Sequence, residues 1–120
     1  MIVAGLGFRS AAAVPSLRDA LARAGGSEVA ALATAADKAG AAAIVDLAAE
    51  LGLPVIAVAP AELAAQPVAT RSPRVAALRG TGSVAEAAAL AAAGPGARLL
   101  GPRAVSGDGM ATAALAERAE

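Results

Sequence analysis

Short apolar runs alternate along the chain with segments whose apolar residues recur at helical spacing. Met1-Ile-Val-Ala is an unbroken apolar opening and predicts a short buried strand running into Gly5-Leu6-Gly7. Over residues 11–24 the period becomes helical, with Val14, Leu17 and Leu21 on one face and Arg18, Asp19 and Arg23 off it. Pro15 suits the first turn of that helix, and Gly25-Gly26 ends it. Residues 29–33 predict a second strand, although alanine is a weak strand former. Over 41–51, Ile44, Leu47, Ala48 and Leu51 repeat at i, i+3, i+4 and i+7, and Gly52 supplies the cap. The apolar run from Pro54 to Ala59, bounded by prolines, predicts a strand covered on both faces. Short helix 60–65, an irregular stretch over 66–79 and a strong helix over 83–93 follow. Residues 98–101 and 110–115 predict two last strands joined near Ser106-Gly107-Asp108-Gly109, where Asp-Gly is a hairpin signal.

Strands alternating with helices imply an α/β fold. The expected architecture is a three-layer α/β/α domain with a mixed, mostly parallel sheet and a C-terminal β-hairpin. With 120 residues, one domain spanning 1–120 is expected.

Composition narrows the function. Alanine fills 40 positions, so hydrophobic content reaches 58% while aromatics stay at 1%. The longest uncharged runs, 51–61 and 87–97, are 11 residues each. A spanning helix needs about 20 apolar residues, so no membrane partner is expected. A cytoplasmic protein is expected, since the N-terminus lacks a basic region followed by a signal-type apolar stretch. Ten basic and ten acidic residues cancel, which argues against nucleic acid as a partner. Cysteine and histidine are absent, which removes disulfides, thiolate nucleophiles, histidine bases and the usual zinc ligands. No cofactor is expected. Alanine-rich helix faces allow a homo-oligomer without requiring one.

Four segments are candidates for chemistry. Gly5, Gly7, Phe8, Arg9 and Ser10 join the first strand to the first helix. Glycines there let backbone N–H groups approach an anion, and Arg9 adds a bidentate partner for carboxylate or phosphate. A dinucleotide site would need a third glycine where Ser10 stands and an acid near the end of the second strand, and both are missing. The competing reading is a tight turn with Ser10 as helix cap. Gly80, Thr81, Gly82 and Ser83 open the strong helix, and Ser83 with Glu86 forms a capping box that needs no ligand. Capping leaves Thr81 unexplained, and its hydroxyl with the flanking N–H groups suits an anion. Lys38, the lone lysine, follows the second strand and is either a surface residue or a carboxylate ligand. Ser106 begins the Asp-Gly segment, read either as a hairpin turn or as a mobile flap. Phe8, the lone aromatic, either stacks on a flat ligand or plugs the core. These segments follow strand ends, where open α/β sheets bind ligands.

Gly5-x-Gly7-x-Arg9 after the first strand, Lys38 after the second, the run from Glu50 to Pro54, and that from Gly82 to Leu90 together resemble the CobE/CbiG C-terminal domain family. The resemblance spans nearly the whole chain and implies a role in cobalamin (vitamin B12) biosynthesis. It implies a corrinoid or precorrin intermediate as ligand, carried or handed on, and another cobalamin-pathway enzyme as a candidate partner. Hydrolysis of a precorrin lactone by the cobalt-precorrin-5A hydrolase route is the alternative it implies, with Glu86 or Lys38 as candidate base. Such proteins often carry cysteine where Phe8 stands and an acid soon after the lysine, where Ala39-Gly40-Ala41 has none. Both departures weaken a catalytic assignment more than a binding one, and no catalytic residue is assigned.

Overall fold

The computed structural model describes residues 1–26, 28–73, 75–76 and 81–119. Along the chain these form β1 (Ile2–Phe8), α1 (Val14–Arg23), β2 (Ala31–Ala35), a 3-10 turn (Ala36–Lys38), α2 (Ala42–Leu51), β3 (Val55–Val58), α3 (Pro60–Ala64), α4 (Val84–Ala93), β4 (Arg98–Leu99), β5 (Ala104–Val105) and β6 (Ala111–Glu117). The strands make one mixed sheet in the order β3-β2-β1-β6-β4, with β5 also paired to β6. β1, β2 and β3 are mutually parallel, while β6 runs antiparallel to β1, β4 and β5. Five of these six strands therefore point the same way, and β5–β6 supplies the C-terminal hairpin.

Strand alternation divides the core into two layers, one on each side of the sheet. Ala4, Leu6, Leu32 and Leu115 pack with Leu17, Ala20 and Leu21 of α1 and Ile44 and Leu47 of α2. On the opposite face Val3, Ala33, Ala35 and Ala116 meet Leu63 of α3 and Ala87 to Leu90 of α4. Helix α4 is deeply enclosed, with every residue from Ala85 to Leu90 buried.

The opening glycines lie inside β1 and do not form a loop. Gly5 pairs with Ala33 on one side and Ala114 on the other. A Cβ at Gly5 would lie 1.9 Å from the Ala85 carbonyl oxygen and 2.6 Å from the Ala89 nitrogen. Glycine here lets α4 rest its backbone directly on the sheet. Strand and glycine loop share one sequence pattern, and the close helix decides between them.

Other boundaries move less. β2 begins two residues later than expected, because its ladder pairs Val3 with Ala31. β3 is an edge strand with Ala57 exposed, so it is not covered on both faces. Gly52 ends α2 at φ +67°, as a left-handed cap, and Leu53 N–H donates to the Ala48 carbonyl at 2.9 Å. Leu51, placed on the apolar face by its spacing, is 45% exposed because it is the last helical residue.

Candidate functional site

The larger cleft, about 570 Å³, opens where β1 and β2 end and β6 begins. At that edge the β1–β2 ladder stops at Gly5 and Ala33, while β1 stays paired with β6 through Phe8 and β2 with β3 through Ala35. Thr34, the one hydroxyl in β2, occupies the gap and donates to the Leu6 carbonyl at 2.8 Å. This bond links β2 to β1 where their backbone ladder has stopped, at the carboxyl edge where open α/β sheets bind ligands.

Of the residues singled out from sequence, Gly7, Phe8, Arg9, Ser10 and Lys38 come together in this cleft. Arg9 is fixed through its backbone, whose N–H donates to the Met110 carbonyl at 3.0 Å, and its exposed side chain is left at the mouth. Lys38 Nζ donates to Ser10 Oγ at 3.2 Å and lies 5.2 Å from the centroid of the Phe8 ring. A cation over an aromatic face gains modestly at an exposed site. Of the two readings of Phe8, its half-buried ring does pack against the α1/α2 core, and it also lines the cleft.

The cleft contains more than the sequence motifs. Thr34, Ser72, Arg103, Thr112 and Met110 also line it. Thr34 carries a faint sequence signal, as a hydroxyl in an otherwise apolar strand. Arg103 and Ser72 carry none, because tertiary contacts bring them in. Among the described residues, Arg9, Lys38 and Arg103 are the charged ones lining the cleft, with no Asp or Glu beside them.

Gly5, Ser83 and Ser106 lie elsewhere. Gly5 is sealed beneath α4. Ser83 is 0% exposed and caps α4, accepting from Glu86 N–H at 3.3 Å. The other half of the expected capping box is not made. The Glu86 carboxylate is buried and accepts from Thr70 N–H at 2.7 Å, Thr70 Oγ1 at 3.0 Å and Arg103 N–H at 2.9 Å. Those three donors tie two connecting segments to α4 and hold Arg103 at the cleft wall. Glu86 is thus enclosed and fully engaged, a poor setting for a base that must reach water.

Ser106 is also engaged, donating to Asp108 Oδ1 at 2.6 Å and accepting from Ala111 N–H at 3.0 Å. Asp108 accepts a further bond from Ser16 of α1 at 2.5 Å and one from Met110 N–H at 3.0 Å. The serine hydroxyls, led by Ser106, pull the Asp108 carboxyl down to about 2. Gly107 N–H donates to Asp19 of α1 at 2.7 Å, which lowers the Asp19 carboxyl in turn. The hairpin turn is therefore anchored to α1 and makes a wall of the cleft through Gly109 and Met110.

Thr81 and Gly82 line a smaller neighbouring cleft of about 220 Å³, which shares Ser72 with the larger one. A Cβ at Gly82 would come within 2.5 Å of the Thr70 carbonyl, so this glycine admits the neighbouring segment. Gly80 lies outside the described residues.

Residues 2–116 match the family model described as cobalamin synthesis G C-terminus. Two solved structures are similar over the whole chain. One is CobE, a protein from the cobalamin (vitamin B12) biosynthetic pathway, with 33% identity, TM-score 0.88 and 95% of that chain covered. The other is the cobalamin biosynthesis protein ChiG from Agrobacterium tumefaciens str. C58, with 40% identity, TM-score 0.72 and 100% of that chain covered. No functionally curated protein matches.

Proposed function

Because the chain belongs to the cobalamin synthesis G C-terminus family and is a cobalamin-biosynthesis protein, we propose that its larger cleft binds a corrinoid or precorrin intermediate by the acid groups on the ring's rim. The carrying observation is charge segregation. A chain of zero net charge lines this cleft, among its described residues, with Arg9, Lys38 and Arg103 and with no Asp or Glu. Guanidinium and ammonium groups recognise carboxylates, and several fixed at one rim favour a ligand that carries several. The cleft volume of about 570 Å³ lies in the range of small-molecule sites. Its open shape suits one edge of a flat macrocycle, with Phe8 and Met110 as apolar contacts and the arginines at the perimeter.

Binding fits the geometry better than lactone hydrolysis. Of the two candidate bases, Glu86 is sealed and holds three donors, and Lys38 Nζ donates to Ser10 Oγ. A phosphate nest fits less well, because the N–H groups around Gly5 belong to the sheet ladder. The role that follows is that of a carrier or accessory protein, passing the intermediate to another enzyme of the pathway.

The chain has no Trp or Tyr, so a bound pigment's spectrum is read against a nearly silent protein in the near ultraviolet as well as in the visible. Purified protein mixed with a panel of corrin precursors and passed through gel filtration should elute with unaltered pigment. An altered product spectrum would favour the hydrolase reading, and a colourless protein fraction with every precursor would overturn the assignment.

A further inference from the structure

Thr81 has no evident structural use. It is 5% exposed, and its Oγ1 is the buried side-chain oxygen without a hydrogen-bond partner among the described residues. Buried hydroxyls are nearly always paired, so an orphan asks for an explanation. Thr81 lines the smaller cleft together with Arg71, whose exposed side chain makes no ion pair or hydrogen bond among the described residues. Among the described residues no Asp or Glu lines that cleft either, and Ala64, Val68 and Pro73 supply apolar wall. The cleft thus offers one unused hydroxyl donor, one unused guanidinium and room for a short alkyl chain. That set matches a carboxylate on one or two methylenes.

Ser72 lines both clefts, so a ligand seated in the larger one has a neighbouring pocket for a side arm. We infer that the smaller cleft is a second carboxylate pocket, in which Thr81 and Arg71 take an acetate- or propionate-type arm of the ligand held by Arg9, Lys38 and Arg103. This rests on the ligand reading above and adds to it which part of the protein selects the arms. Thr81 Oγ1 donates to one carboxylate oxygen and the Arg71 guanidinium to the other. A neutral amide or ester in place of the acid would lose the charge-assisted part of both bonds.

The test uses the full chain, labelled with ¹⁵N, and two probes: sodium propionate and coproporphyrin, which carries four propionate arms. Propionate should shift the amides of Thr81 and Gly82 in a saturable way, and propanol should not. Thr81→Val keeps the side-chain shape and removes the hydroxyl. It should abolish those shifts, weaken coproporphyrin binding about tenfold and leave the melting temperature unchanged or raised, since no native partner is lost. An identical propionate titration in Thr81→Val, or a marked fall in its melting temperature, overturns the second pocket. Shifts confined to Arg9 and Lys38 overturn it while leaving the larger cleft in place. No response to either probe in either cleft overturns both readings.

Discussion

Replacing Glu86 by glutamine separates an organising role from a chemical one. The side chain is buried, and its two oxygens accept from the Thr70 and Arg103 backbone N–H groups and from the Thr70 hydroxyl. A carboxamide keeps one acceptor oxygen. Placed at Oε1, that oxygen keeps Thr70 N–H, but the new NH₂ group confronts Arg103 N–H. Flipped, it keeps Arg103 N–H and confronts Thr70 N–H. In either orientation one buried backbone donor loses its partner and faces another donor. Losing one hydrogen bond to a charged acceptor and stranding its donor costs about 2–4 kcal/mol together. With a urea dependence of about 2 kcal/mol per molar, the unfolding midpoint should fall by about 1–2 M.

Far-ultraviolet circular dichroism against urea measures that shift, since the chain lacks tryptophan. Glu86→Ala should cost more, about 3–5 kcal/mol, because it strands all three donors and leaves a cavity. A Glu86→Gln midpoint indistinguishable from wild type would refute the argument. So would full stability with selective loss of a hydrolytic activity, which is the signature of a base.

Three further outcomes follow from the packing and the charges. Gly5→Ala should destabilise by about 3 kcal/mol or more or prevent folding, because its Cβ meets α4 backbone at 1.9 Å, whereas Gly7→Ala should be mild because it meets the movable Thr112 hydroxyl at 2.8 Å; comparable thermal midpoints would refute the close helix–sheet contact. Arg9→Ala and Lys38→Ala should each weaken tetrapyrrole binding about three- to tenfold, read from visible titrations, and the wild-type affinity should fall with salt; unchanged affinity in both variants removes the proposed rim. The folded Asp108 carboxyl sits at about 2 against about 3.9 when unfolded, so its contribution is complete above about pH 4 and is lost as pH falls toward 2. Thermal midpoints between pH 5 and 2 should therefore drop more steeply for wild type than for Asp108→Asn, and parallel slopes would refute the anchoring of the turn.

What the sequence made legible follows from which forces are local. The faces of α1 and α2 could be read from Leu17, Leu21, Ile44 and Leu47, because amphipathic spacing is a property of one element. The Asp-Gly turn was legible for the same reason. Gly5-x-Gly7 was not, since a glycine that admits a ligand and one that admits a helix look alike along the chain. The apolar run of β3 misled, because edge or centre is decided by strand order and not by composition. In the cleft, Arg9, Ser10 and Lys38 were legible by their place after strands. Arg103 was invisible, because what puts it there is a buried carboxylate 17 residues away.

These observations join into one chain of causes. Gly5 lets Ala85 and Ala89 of α4 press against β1, and the alanines of α4 keep that approach free of bulk. The depth of α4 sets the position of Ser83 at its cap and of Glu86 one turn on. Glu86 in turn holds the segments that carry Thr70 and Arg103, and the former leads directly to Arg71 and Ser72. Both clefts are therefore built from the contact at Gly5, although Gly5 lines neither. A substitution there should disturb carboxylate recognition through Arg103 and Arg71 even in molecules that still fold. A Gly5→Ala protein recovered in folded form with wild-type affinity would break the chain at its first link, whereas loss of affinity with Arg9 and Lys38 intact would show that the glycine acts through α4.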